Sequence, residues 1–413
     1  MSSKKKLLIA SILGNALEFY DFTLYGVLAL VLSKHYFPGT DDTAKLLFSL
    51  TAFAVGFFTR PIGAMFFGHL GDAIGRKEAL SLSILLMGVP TFLIGITPTY
   101  QQIGLWASVS IFLCRLFQGV FTGGEYNGAA IFSIEHFGKK SSGFVGGLIT
   151  GSCVMGALGA TFFGAWTQKA GLPEWAWRVP FICGGVLGLF GYFMRRRMEE
   201  TPEFTAHISQ QRISLFQLFR NYPYPSFTAF MFGSFNGALT YTLFGFLNIY
   251  LSRYLQIPLL QAMQLNLFAL FAFMIGSPGM GYLLDLVGKR KFLTGATLSI
   301  FLLAIPIFLL LESSLIWLGQ ILLGLCTASI AGSGHAIMQG LFPVKERYRG
   351  IALNFSMGMG LFGGITPIIY VHMIERSGAS LLFPALFLMG LTVCFAATIT
   401  MAGLFGTSQP IVE

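Results

Sequence analysis

Apolar runs of about 20 residues, the length that crosses a bilayer as a helix, recur along this chain with short polar breaks between them. They predict helical segments near 7–33, 46–70, 79–97, 103–134, 142–167, 176–194, 224–251, 262–284, 292–311, 315–342, 350–374 and 381–405, numbered here segments 1 to 12. The longest polar stretch, 195–222, opens on Arg195-Arg196-Arg197 and divides the segments six and six. Within it Ile213, Leu215, Phe216, Leu218 and Phe219 suit a short amphipathic helix on the membrane surface. The expected fold is an all-α membrane protein of twelve transmembrane helices, with a six-helix bundle over 1–194, a linker over 195–222 and a second bundle over 223–413.

Composition agrees with the pattern. Hydrophobic residues are 54% and charged residues 10% of the 413, and mean hydropathy is +0.72. A soluble chain carries about 25% charged residues, so a soluble enzyme, a secreted disulfide scaffold and a disordered protein are excluded. The net charge of +9 is not a nucleic-acid footprint, because the charges sit in short loops between apolar runs. Eighteen Lys and Arg lie at the N-terminus or in the loops on its side, six on the opposite side, and Arg60 and Arg115 inside segments. That bias places both termini in the cytoplasm. The five cysteines stand in apolar runs without metal-ligand spacing, so neither a disulfide framework nor a metal site is expected. Lys4, Lys5 and Lys6 precede a stretch that carries Glu18 and Asp21 and lacks a clear small-residue cleavage site, which reads as no cleavable leader.

One decapeptide pattern occurs twice. Gly68-His69-Leu70-Gly71-Asp72-Ala73-Ile74-Gly75-Arg76-Lys77 follows segment 2, and Gly281-Tyr282-Leu283-Leu284-Asp285-Leu286-Val287-Gly288-Lys289-Arg290 follows segment 8. Recurrence in equivalent places implies two related bundles. The aspartate can accept hydrogen bonds at a neighbouring helix N-terminus or pair with a cation across the seam between halves. Asp72, Arg76, Asp285 and Arg290 are therefore candidate gating residues at the cytoplasmic end. In this repeat the chain resembles the major facilitator superfamily, and the resemblance extends to segment number, central loop and sidedness. It implies two bundles around a central cavity that opens alternately to either side.

Charges inside a bilayer cost roughly 2.5–3.5 kcal/mol each on insertion scales, so those retained are functional candidates. Glu18 and Asp21 stand in segment 1, Arg60 in segment 2, Arg115 and Glu125 in segment 4. Helical spacing gathers Asn15, Glu18, Phe22 and Tyr25 on one face, and Arg115, Gln118, Thr122 and Glu125 on another. A carboxyl group taken out of water holds its proton more tightly, and an arginine beside it has the opposite effect. Glu18, Asp21, Arg115 and Glu125 are thus candidates for proton coupling, with substrate competing for the arginine. Static helix pairing by buried ion pairs is the alternative. Candidate substrate contacts are Asn15, Tyr25, Arg60, Gln118, Tyr126, Asn236, Tyr241, His335, Gln339 and Asn354, with Asn248 and Tyr370 as further polar positions. Arg60 or Arg115 suits a carboxylate. Aromatic walls such as Phe22, Tyr25 and Tyr126 suit a quaternary ammonium.

Four linked motifs narrow the resemblance. Gly14-Asn15-Ala16-Leu17-Glu18-Phe19-Tyr20-Asp21-Phe22, Arg60-Pro61-Ile62-Gly63, Arg115-Leu116-Phe117-Gln118-Gly119 with Gly123-Gly124-Glu125-Tyr126, and Glu200-Thr201-Pro202-Glu203-Phe204 resemble, in order, segments of the metabolite:H+ symporter family. That family includes importers of proline and betaine, citrate, 2-oxoglutarate and shikimate. The resemblance implies a bacterial inner-membrane importer of a small carboxylate-bearing metabolite, driven by protons. It assigns coupling and binding positions to Glu18, Asp21, Arg115 and Glu125.

The chain stops eight residues past segment 12, short of the long tail of osmosensing betaine transporters, so osmotic regulation is not expected. Segment 5 has many glycines but no Gly-Pro pair, the mark of the superfamily's antiporters, which favours symport over the runner-up reading, a proton antiporter exporting a drug or metabolite. No nucleophile–base pair or ligand cluster suggests an enzyme. The expected partners are a small-molecule substrate and the lipid bilayer, with no nucleic acid, no cofactor beyond the proton as coupling ion, and a monomeric state.

Overall fold

The computed structural model describes residues 3–39, 41–74, 76–123, 125–137, 141–196, 215–377 and 382–403, and among these every regular element is helical. Nine helices are long and apolar enough to cross a membrane among the described residues, matching segments 2, 4, 5, 6 and 8 to 12, and a bent pair adds segment 1 as a tenth. The other two segments are helical in another way. Segment 3 lies in Arg76–Ile96, whose apolar part is the shorter Ser81–Ile96. Segment 7 is built in pieces: an α-helix at Pro223–Tyr241, a π-helical turn at Thr242–Phe246, one α turn at Leu247–Ile249 and a second π turn at Tyr250–Tyr254.

Segment 1 is not the straight helix its apolar run suggests. Ile12–Val27 and Ala29–Tyr36 meet at 63°. The break falls at Leu28, whose backbone (φ −96°, ψ 11°) leaves the helical range. Just before it, Gly26 lies against the Phe244 carbonyl and the Gly245 backbone of segment 7. The second piece is then held by the Tyr36 hydroxyl, whose one proton is shared between the carbonyls of Thr97 at 2.9 Å and Ile94 at 3.2 Å. The next helix starts at Asp42, where the Asp41 carboxylate accepts from the Thr43 and Ala44 amides. Those two donors hold the exposed Asp41 carboxyl below its ordinary pKa.

Segment 5, Ser142–Thr167, is the axis of the seam. Its glycines explain how. A Cβ on Gly143, Gly147 or Gly151 would strike the backbone of segment 8 at Gly281, Ser277 or Met274. A Cβ on Gly156 would strike the Ala16 carbonyl of segment 1, and one on Gly164 would meet Val27. Small residues every fourth position let helix backbones touch without a side-chain layer between them. One helix therefore packs on segment 8 through its first half and on segment 1 through its second.

This contact carries a prediction. Gly147→Leu forces segments 5 and 8 apart near the end where the basic loops gather. Overpacking of this kind costs about 1–3 kcal/mol, so the closed arrangement loses roughly tenfold or more in population. Cys153 is the reporter, because it is buried and lines the central cavity. With the other four cysteines replaced, a maleimide should label Cys153 about tenfold faster in the Gly147→Leu protein, and unchanged labelling would show that the glycine contact does not control closure.

Candidate functional site

The two membrane arginines sit in one layer because glycine lets segments 2 and 4 touch. A Cβ on Gly63 would overlap the Val120 carbonyl, and one on Gly119 would overlap the Gly56 carbonyl. These are the glycines of the Arg-Pro-x-Gly and Arg-x-x-Gln-Gly motifs. Thr59, just before Arg60, donates its hydroxyl to the Leu116 carbonyl at 3.0 Å and pins the junction where the Arg60–Ile74 helix begins.

Both guanidinium groups face the same ring. The Arg60 Cζ lies 4.1 Å and the Arg115 Cζ 4.5 Å from the centroid of Phe22. Arg60 also lies 4.8 Å from Phe57, and Arg115 lies 4.7 Å from Tyr25 and 5.3 Å from Phe53. Ring faces carry negative potential, so this box lessens the cost of burying two cations side by side. Tyr241, from the other half, closes it edge-on, 4.4 Å from Phe57.

The arginines differ in what their donors do. Arg115 is fully buried, donates Nη1 to Gln118 Oε1 at 2.8 Å and turns Nη2 toward the Phe53 carbonyl at 3.4 Å. Gln118 in turn donates to the Thr91 hydroxyl at 2.7 Å. Thr91 and Asp21 Oδ1 both lie against Gly184, so the Arg115–Gln118–Thr91 chain runs toward Asp21. Arg60 is 4% exposed, and its Nε and Nη2 have no hydrogen-bond partner. Its Nη2 stands 3.9 Å from Glu18 Oε1, and its Nη1 stands 3.9 Å from the Met359 sulfur of segment 11. The ion pair with Glu18 thus belongs to Arg60.

Beside this cluster is a cavity between the halves, lined by Phe19, Tyr126, Thr150 and Cys153 from one side and by Asn236, Thr240, Phe244, Phe273, Ala331 and Met359 from the other. Its wall is aromatic and hydroxylic, without a formal charge. Tyr126 and Thr150 share a hydrogen bond at 3.3 Å, and Thr150 reaches the Ala331 carbonyl across the seam. Asn236 accepts from Thr240 at 3.4 Å. His335 packs against the Tyr126 ring with centroids 4.7 Å apart, and its Nδ1 has no partner.

The remaining candidates scatter. Asn15 is fully buried with neither amide atom bonded. Tyr25 donates to the Ser49 carbonyl, Gln339 reaches the Ile131 carbonyl at 3.5 Å, and Asn354 is spent on Gly350 of its own helix. Asn248 accepts from Asn266, and Tyr370 bonds Thr242. The side chains of Glu125, Asp72 and Arg76 lie outside the described residues.

Among the described residues, contacts cross the seam at both ends. At the basic end the Asp285 carboxylate accepts from the Gly143 and Phe144 amides, each at 2.9 Å. An acid caps the first turn of segment 5 from the opposite half, which is the first of the two roles expected for it. Arg290 is exposed. At the other end Arg253 bonds Thr43 across the seam and pairs with Glu375 at 3.2 Å, while Gly364 packs on Ala54. Asp285→Ala should cost about 1 kcal/mol, the usual worth of a helix cap, or roughly fivefold in the closed population. Faster maleimide labelling of Cys153 reads that shift, and labelling at the wild-type rate would show that the Asp285 cap does not hold segments 5 and 8 together.

Sequence reasoning missed Thr91, Phe57 and Met359. Thr91 follows Pro90 in a segment without a charge at that depth, so nothing marked it. Phe57 and Met359 are single members of large phenylalanine and methionine sets, and only the packing selects them.

Helices from the two parts of the chain meet at a small, largely aromatic cavity with charges buried beside it, an arrangement that suits a solute carrier. The chain matches the Major Facilitator Superfamily profile over residues 11–318 and again over 229–412, and it belongs to that superfamily. It is 34% identical to the proline/betaine transporter of Salmonella typhimurium over 94% of this chain and 81% of that one. It is 33% identical, with the same coverage, to the glycine betaine/proline/ectoine/pipecolic acid transporter of Dickeya dadantii. Among solved structures it resembles the D-xylose-proton symporter (TM-score 0.73, 13% identity, 100% of this chain and 99% of that one). It also resembles the partially occluded inward-open xylose transporter XylE of E. coli (TM-score 0.75, 13% identity, 97% and 98%). At that identity the likeness is one of fold. The protein is a multi-pass membrane transporter and not an enzyme.

Proposed function

We propose that this transporter is a proton-coupled importer of a small carboxylate-bearing metabolite, of the amino-acid or betaine kind, working by alternating access. The observation that carries the reading is Arg60. It is buried behind Met359, which lines the cavity, paired with Glu18 at 3.9 Å and otherwise short of strong acceptors. A substrate carboxylate reaching Arg60 competes with Glu18 for the same cation, so solute binding and proton binding are linked through one side chain. Arg115, with both terminal nitrogens engaged, positions the layer and links it to Asp21. The aromatic wall of Phe19, Tyr126, Phe244 and Phe273 suits the cationic end of a zwitterion. The names of the Salmonella and Dickeya relatives, which include proline and betaines, support that class.

On the same reading the chain crosses a bacterial inner membrane twelve times as a monomer, with both termini in the cytoplasm. The halves are 1–194 and 223–413, joined by 195–222. Glu125 is a second proton site, and Asp72 and Asp285 work the cytoplasmic gate with Arg76 and Arg290.

Uptake by proteoliposomes under an imposed inward proton gradient tests this, with a panel of proline, glycine betaine, 2-oxoglutarate, citrate and shikimate. Gradient-dependent accumulation of a carboxylate-bearing solute is expected. Extrusion against the gradient from preloaded vesicles would favour export by antiport instead.

A further inference from the structure

We propose that Met359 tunes the affinity for the substrate's carboxylate, by occupying Arg60 across the seam with a weak acceptor that the carboxylate displaces. The inference rests on Arg60 being the carboxylate anchor. It adds a residue from the opposite half, outside the charged motifs.

Met359 opens the π-helical turn Met359–Gly363 of segment 11. That turn is pressed onto segment 2. A Cβ on Gly360 would stand 2.6 Å from the Phe57 carbonyl oxygen, and one on Gly364 3.1 Å from the Ala54 Cα. Segment 11 is therefore seated closely on segment 2, which sets Met359 level with Arg60, its side chain 2% exposed. Its sulfur lies 3.9 Å from Arg60 Nη1. The same side chain lines the cavity together with Tyr126 and Asn236. It stands between the cation and that cavity.

The chemistry of that neighbour decides what it does. A thioether is a weak hydrogen-bond acceptor, and a guanidinium has five donors to place. A carboxylate accepts in a charge-assisted, often two-pronged bond that is about twice as strong as a neutral one. Methionine is also flexible and polarisable, so it moves aside at little cost. The sulfur gives Arg60 a partner across the seam, yet yields to a carboxylate. An oxygen acceptor at this position would hold Arg60 too well. A hydrocarbon would not hold it at all.

Two substitutions separate acceptor strength from packing. Met359→Leu keeps the bulk and removes the acceptor. Met359→Gln keeps the length and supplies an amide oxygen. Met359→Asn is a shorter second amide, for use if Met359→Gln does not fold. Initial uptake rates in proteoliposomes give KM for the carboxylate-bearing solute that the wild type accumulates, and thermal unfolding of the purified proteins checks the fold. The amide variant is expected to have a KM about tenfold above that of Met359→Leu, the worth of one additional hydrogen bond to a charged group, with the maximal rate little changed. A ratio under about threefold, in folded proteins, overturns the inference, because roughly 0.6 kcal/mol is less than one such bond. The two failures are distinguishable. Wild-type uptake with a KM indifferent to residue 359 sinks only the role of Met359. No uptake of any panel solute by the wild type overturns the functional reading, and this inference with it.

Discussion

Glu18→Gln is expected to leave solute exchange intact and to abolish accumulation. Glutamine preserves the size of the side chain and offers Arg60 an oxygen at the position from which Glu18 Oε1 faces Nη2 at 3.9 Å, but it carries no exchangeable charge. One proton moving down 100 mV supplies about 2.3 kcal/mol, which sustains a solute ratio of roughly 50 across the membrane. A variant unable to carry that proton should equilibrate its solute at a ratio of about 1. Counterflow with solute on both sides needs no net proton movement, so it should persist at a comparable rate. Loss of both activities would mean that Glu18 holds the structure together. Retention of both would move the coupling site elsewhere, with Asp21 the next to examine.

Arg60 should show the largest effect on affinity. Removing one partner of a buried, hydrogen-bonded charge pair costs about 2–5 kcal/mol, so Arg60→Ala should raise KM for a carboxylate-bearing solute roughly 30-fold or more. Arg60→Lys keeps the charge but loses the planar fork and the stacking on Phe22 and Phe57, and it too should raise KM. Arg115 gives the contrast. Its two terminal nitrogens are committed to Gln118 and the Phe53 carbonyl, leaving only Nε without a partner, so Arg115→Lys should lower thermal stability before it alters KM. Initial-rate kinetics alongside thermal unfolding separate the two. A reversal, with Arg115 governing KM and Arg60 governing stability, would exchange their roles.

Much of the fold was legible because a bilayer punishes deviation. The apolar runs of segments 2, 4, 5, 6 and 8 to 12 became long helices, and the glycines of segment 5 became its contacts with segments 1 and 8. What the periodicity did not contain was the break at Leu28 and the π turns of segments 7 and 11. An apolar run reads alike whether its helix is straight, bent or widened by a residue. Such features are imposed by neighbours, here the Phe244 carbonyl against Gly26 and the Phe57 carbonyl against Gly360.

The site was legible in kind more than in pairing. Helical spacing placed Glu18 and Phe22 on one face, and both are buried beside Arg60. Which arginine meets which acid depends on how segments 2 and 4 are set against segment 1, and a linear sequence holds no such offset. It left Arg115 as the natural partner of the segment 1 acids, whereas the close approach at Gly63 and Gly119 brings Arg60 to Glu18. For Asp285 a helix-capping role was one of two open in the sequence, but the helix was not named there; the structure supplies the Gly143 and Phe144 amides of segment 5 at 2.9 Å. Met359 carried no mark at all, because a methionine in an apolar run is ordinarily packing.

The central claim is that solute and proton cross together in the same direction. Proteoliposomes holding a pH-sensitive dye in the lumen, with no imposed gradient, should acidify inside when the transported solute is added outside, and should do so only with protein present. Glu18→Gln vesicles should admit the solute without the acidification. A lumen that turns alkaline as solute enters, or that keeps its pH while solute crosses, would contradict proton symport.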